Sequence, residues 1–183
     1  MENGENTGEL DSGAVDAVVA EAQTLGEEER WDDAHSLLLE ALEEQGDAPL
    51  LLCWAGIAAQ RLGNDGEAYD FFRRALAQQP EDPFVLSASG NGVAMFDDPE
   101  AEGALRTAAL TAPDFPFARA AYGAYLAREG LFTEAVGELE AARGLAPEDA
   151  DVHADLGMAY LLAARPDDGL ASLEEALALR SED

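Results

Sequence analysis

The feature that most constrains this chain is a small-large-small signature that returns five times. It reads Ala34, Leu38, Ala41; Ala68, Phe72, Ala75; Ala101, Leu105, Ala108; Ala135, Leu139, Ala142; and Gly169, Leu173, Ala176, its first members spaced 34, 33, 34 and 34 residues apart. Residues at i, i+4 and i+7 share one face of a helix, so each signature predicts a helix with a narrow apolar stripe. A repeat of this length cannot bury such a stripe alone and needs its neighbours, which makes a stacked helical array the expected architecture.

About a dozen residues before each signature stands another small residue: Ala22, Gly56, Gly90, Gly123 and Gly157. Small positions on two consecutive helical segments let their backbones approach, which predicts an antiparallel hairpin in each repeat. The turns carry breakers, Gly63-Asn64-Asp65-Gly66, Asp97-Asp98-Pro99, Gly130 and Arg165-Pro166-Asp167, and Pro80, Pro113 and Pro147 recur at one phase where the second helix must stop. Asp82-Pro83, Asp98-Pro99 and Asp114-Phe115-Pro116 offer capping carboxylates beside prolines that suit a first helical turn. The repeats fall at about 15–48, 49–82, 83–115, 116–149 and 150–183, forming one array over 14–183 behind an acidic, flexible segment, 1–13.

The charge narrows the partners. Thirty-nine acidic residues stand against ten basic ones, all arginine, for a formal net charge of −29. Such a field repels phosphate backbones and anionic lipid surfaces, so nucleic-acid binding is not expected. It is compatible with a basic partner and equally with simple solubility or a salty cytoplasm. Cys53, the single cysteine, excludes an intramolecular disulfide and reads as a small packing residue in a reducing compartment. The first residues lack the features of a secretory signal and no stretch is long enough to span a bilayer, so a cytoplasmic protein without membrane insertion is expected.

The assembled pattern resembles the tetratricopeptide repeat family, over about nine-tenths of the chain. The resemblance implies an all-α, right-handed α-solenoid of about five antiparallel helix pairs, whose first helices line a concave groove for peptide or helical segments of partner proteins. It implies no catalytic chemistry and no cofactor. Mapping the family's groove phases gives Leu50, Cys53, Ile57, Gln60 and Arg61 in the second repeat. The third gives Phe84, Ser87, Asn91, Ala94 and Met95, and the fourth Phe117, Ala120, Ala124, Ala127 and Arg128. The chosen candidates are Leu50, Ile57, Arg61, Phe84, Asn91, Met95, Phe117 and Arg128. Family members that grip carboxylate-ended tails carry groove lysines; none exists here, and the groove reads as apolar with a small-residue floor, suited to hydrophobic or amphipathic peptides.

Arg61 and Arg128 share a phase and could each hold a carboxylate or phosphate, or merely neutralise nearby acids. The third repeat places Ser87-Ala88-Ser89-Gly90-Asn91-Gly92 in its first helix, read as a bend, a close ligand approach, or drift covered by packing. His35 and His153 have no Cys/His companions for a metal site. Trp31, Trp54, Tyr122, Tyr125, Phe132 and Tyr160 fit core phases, with Trp54, Phe84, Phe117 and Tyr125 the ones to examine for exposure. No phosphate-loop or serine-hydrolase string is present. The chain stops after the helix of Leu170, Leu173, Leu177 and Leu179, from which self-association through an uncapped end is expected. The expected function is a non-catalytic scaffold or adaptor holding a peptide segment. The alternatives are a chaperone for a hydrophobic client and a self-assembling structural protein.

Overall fold

The computed structural model describes residues 12–182. The proposed flexible segment falls mostly on residues 1–11, outside that range, and Ser12 and Gly13 already belong to the first helix. The described residues form helices and connecting turns, without strands, and the chain divides into two compact units between Pro80 and Glu81.

The first unit contains α1 (Ser12–Glu27), α2 (Trp31–Gln45), α3 (Pro49–Arg61) and α4 (Asp65–Ala77). The second contains α5 (Pro83–Ala94), α6 (Glu100–Thr111), α7 (Pro116–Arg128), α8 (Phe132–Leu145), α9 (Ala150–Leu162) and α10 (Pro166–Glu182). In sequence order the helices pair, α1 with α2 through α9 with α10, and within each unit the pairs stack. In the first unit α3 packs on α1 and α2; in the second α7 packs on α5 and α6, and α9 on α7 and α8.

The small residues determine how closely each pair packs. A Cβ placed on Gly56 would lie 2.6 Å from the Phe72 ring, on Gly90 3.0 Å from Leu105 Cγ, and on Gly123 and Gly157 2.7 Å from Leu139 and Leu173 Cγ. Each glycine therefore receives the large central residue of its own repeat's signature. Leu38, Leu105 and Leu139 are fully buried and Phe72 nearly so, each worth about 1.5–3 kcal/mol of burial. Behind α7 and α8 the core continues through Leu126, Val136, Leu156 and Tyr160 to α9. The fifth signature is looser: Leu173 is half-buried, and Leu170, at the phase of the buried Val136, is exposed.

The turn inside every pair repeats one backbone device. Glu29, Gly63, Asp97, Gly130 and Ala164 stand one period apart and all have left-handed φ, between 53° and 79°. The residue after each donates its N–H back five positions, as in Asn64 N to Ala59 O (2.9 Å) and Arg165 N to Tyr160 O (2.8 Å), satisfying a carbonyl that the ending helix leaves open. Only two of the five positions carry glycine, the residue that takes this conformation without strain.

Helix starts use prolines and carboxylates unevenly. Pro49, Pro83 and Pro116 occupy first helical positions. The Asp82 carboxylate accepts from Phe84 N (2.7 Å) and Val85 N (3.2 Å), capping α5. Asp98 accepts from Glu100 N (2.9 Å) at the start of α6. At the Asp114-Phe115-Pro116 stretch, by contrast, α7 begins with Phe115 as cap residue and without a side-chain cap. α5 runs unbroken through its serine- and glycine-rich stretch because it is enclosed on nearly every side, from Val85 to Gly90 and again from Gly92 to Ala94. The Ser87 hydroxyl, fully buried, donates to Pro83 O (2.6 Å) in its own helix. Within this stretch Gly90 is the regular small residue of the repeat, required by the close approach of Leu105.

Candidate functional site

In the second unit, α5, α7 and α9 present their outer surfaces on one side, and between them lies a hollow of about 260 Å³. Its floor is made by α7, where Ala120, Ala121 and Ala124 leave room that larger side chains would fill. Pro116 and Phe117 close one end; Phe117 is 40% exposed and packs on Phe84 and Phe115, with ring centroids 5.9 and 6.0 Å away. Asn91 of α5 contributes an exposed amide, and Val152 of α9 a buried apolar wall.

The α9 side is acidic: Asp149, Asp151 and Asp155 line the hollow. Asp149 is the cap residue of α9, its carboxylate accepting from Asp151 N (2.9 Å) and Val152 N (3.2 Å), so its position is fixed by the helix start. Asp151 pairs with Arg180 of α10 at 2.6 Å, both side chains being largely in water. Asp155, one turn further, has no cation partner among the described residues. It is an exposed residue, yet partial desolvation raises its carboxyl pKa above the ordinary 3.8, and repulsion from Asp151 and Asp149 adds to the rise. Among the described residues no three His, Cys, Asp or Glu side chains converge as metal ligands do, so these aspartates form a rim and not a cage.

The sequence-based candidates separate between the units. Asn91 and Phe117 line the hollow and Phe84 supports Phe117, whereas Met95 is exposed at the end of α5, away from the lining. Arg128 lies over the Tyr125 ring, 5.7 Å from its centroid. In the first unit Leu50 and Ile57 are half-buried on α3, and Arg61 sits 5.4 Å over Trp31. Both arginines thus already cover an aromatic ring of their own chain, which the simple choice between a ligand anion and neighbouring acids omits. Cys53 and Ser87, mapped to groove phases, are instead fully buried. Trp54 and Tyr125 are half-buried; Trp54 lines a separate hollow of the first unit with Gln23, Gly26, Glu27 and Trp31. His153 reaches Pro147 O at 2.9 Å, and His35 lies 3.5 Å from Glu67 and against Phe71.

Of the acidic wall only Asp151 stands one period after a groove phase, that of Phe117; Asp149 and Asp155 fall on none of the groove phases, so the repeat alone does not signal them.

Antiparallel helix pairs of one period, small residues seating the large residue of the same repeat, and a left-handed residue at one phase of every turn decide the fold. The chain has the tetratricopeptide-repeat fold. No protein-family model matches the sequence, and no curated protein sequence matches it significantly. Solved structures match over nearly the whole chain. YrrB, described as "a TPR protein with an unusual peptide-binding site", shares 24% identity with a TM-score of 0.63, covering 90% of this chain and 85% of its own. MamA AMB-1 shares 23% identity at a TM-score of 0.68, covering 92% and 98%. A MamA fragment from Desulfovibrio magneticus RS-1 shares 18% at 0.68, covering 92% and 96%. At these identities the likeness establishes the tetratricopeptide architecture. Among the described residues no helix is long and apolar enough to cross a membrane.

Proposed function

We propose that the protein is a non-catalytic interaction module that holds a peptide or helical segment of a partner protein against the α5–α7–α9 face. The observation that carries this reading is the hollow itself, whose alanine floor and exposed Phe117 form an apolar seat with a few polar groups at its margin. Such seats concentrate binding energy on one or two anchor side chains. The likeness to YrrB, a peptide-binding protein by its description, supports the same reading. The test is selection from a random peptide library displayed on phage, followed by titration of the enriched peptides. They are expected to bind the native protein and to lose affinity on Phe117→Glu. Failure to enrich any peptide, or enriched peptides indifferent to Phe117→Glu, refutes it.

Self-association is a second reading, resting on Leu170 and Leu177, exposed to 56% and 68% on α10. They are seven residues apart and so share a helix face. Sedimentation of the native chain and of a double Leu170→Glu, Leu177→Glu variant decides it: equal, monomeric masses remove the reading.

A further inference from the structure

We infer that the ligand of this hollow is a basic-apolar pair: an aliphatic or aromatic anchor on the alanine floor, with an adjoining arginine or lysine of the same peptide against the Asp149, Asp151 and Asp155 rim. The inference rests on the peptide-binding reading above and specifies the chemistry of its ligand.

Three observations carry it. The first is size. At about 260 Å³ the hollow falls below the roughly 300–1,000 Å³ of pockets that enclose whole small molecules. It suits one side chain of a longer ligand, the rest lying along the face. The second is the division of chemistry across it. Phe117, Ala120, Ala124 and Val152 offer no hydrogen bonds from their side chains and favour an apolar group, while the α9 wall offers only acceptors. A purely apolar anchor would leave that wall unused, and an acidic peptide would be repelled by it.

The third is the unequal pairing of the aspartates. Asp149 is engaged with the α9 backbone and Asp151 with Arg180, but Asp155 has no cation of its own. Asp155 is exposed, but partial desolvation against the apolar floor and the two acidic neighbours make its charged form less favourable, and an incoming guanidinium or ammonium offsets them by direct attraction. Asn91, across the hollow, adds a neutral amide able to bond the peptide backbone without favouring either charge. The net charge of −29 draws basic peptides in from a distance. Because such steering acts on any cation, the test must separate the local site from the general field.

The probes are four fluorescein-labelled peptides in a Gly/Ser context, carrying Leu-Arg, Leu-Ser, Leu-Glu or Ser-Arg at the centre, titrated by fluorescence anisotropy against the full chain. Leu-Arg is expected to bind about tenfold tighter than Leu-Ser or Ser-Arg, and Leu-Glu most weakly. Asp155→Asn, which keeps shape and removes charge, should weaken Leu-Arg about fivefold to tenfold and leave Leu-Ser unchanged. The same variant should unfold at equal or higher temperature than the native protein, so lost affinity cannot be blamed on lost structure.

Equal binding of Leu-Ser and Leu-Arg overturns the inference while leaving the peptide-binding reading intact. Equal binding of Ser-Arg and Leu-Arg, abolished by raising salt from about 50 to 500 mM, also overturns it, because screening at that salt points to the field and not the hollow. Indifference of Leu-Arg to Asp155→Asn, or no binding by any of the four, overturns it as well. Whether the face takes peptides at all is then settled by the library selection.

Discussion

Replacing Gly123 and Gly137 by alanine, one at a time, tests the principle that builds every repeat. Both glycines lie inside helices of the same pair, α7 and α8. Alanine gains about 1 kcal/mol over glycine in a helix interior at either position. At Gly137 nothing lies within 4 Å of the new Cβ, so the gain stands. At Gly123 the Cβ meets Leu139 Cγ at 2.7 Å, with Ala135 O and Glu138 Cβ at 3.3 Å. Leu139 is fully buried, and the atom met is its branching Cγ and not the far end of a flexible side chain. Overpacking of this kind costs about 1–3 kcal/mol, so the net effect should run from zero to a loss of about 2 kcal/mol. Urea unfolding followed by circular dichroism reads both, and in a chain of this length 1 kcal/mol moves the melting temperature by about 2–4 °C. A Leu139→Ala background supplies the decisive control. It costs about 2–5 kcal/mol itself but vacates the space, so Gly123→Ala should then become favourable. If Gly123→Ala stabilises the native background as much as Gly137→Ala does, the close seating of leucine on glycine is refuted.

Three further substitutions address the turns, the site's acid and its helix cap. Ala164→Gly should stabilise by about 1 kcal/mol, since Ala164 holds a left-handed φ of 59° that Gly63 and Gly130 adopt at the same phase; a destabilised variant in thermal melts contradicts this. For Asp155 the folded pKa lies above the unfolded one, so its favourable contribution is fully present below the ordinary 3.8 and is lost as pH rises through the folded value. The stability advantage of Asp155→Asn should therefore grow between about pH 4 and pH 7, and a gap that shrinks over that range reverses the assigned sign. Asp149→Ala removes the carboxylate that caps α9 and should cost about 1 kcal/mol in chemical denaturation; no loss means that the 2.9 and 3.2 Å bonds contribute nothing.

The fold was legible because its cause is periodic. Gly56, Gly90, Gly123 and Gly157 announce themselves by spacing, and the structure gives each the same partner, the central residue of its own signature. The same regularity misled where a phase was taken as an orientation. Cys53 and Ser87 occupy groove phases, yet α3 and α5 are enclosed on so many sides that both residues are fully buried. The left-handed turn positions were half-visible: Gly63 and Gly130 mark them, while Glu29, Asp97 and Ala164 hold the conformation without the residue type that signals it. There the geometry is imposed by the two helices that the turn must join.

The acidic wall was hidden for a different reason. In a chain with 39 acidic residues a further three aspartates carry no statistical weight. What distinguishes them is spatial: one is occupied as a helix cap, one by an arginine from α10, and one is left beside an apolar floor without a cation. Pairing of this kind depends on which helix lies next to α9, and no property of α9's own sequence encodes it. The arginines show the converse. Arg61 and Arg128 stood out as rare positive charges; both are exposed, and each is placed over an aromatic ring of its own unit, a partner that sequence alone does not indicate. Charge in this protein therefore becomes informative only after its pairings are known, and within the α9 wall Asp155, which has no cation, is the one to test first.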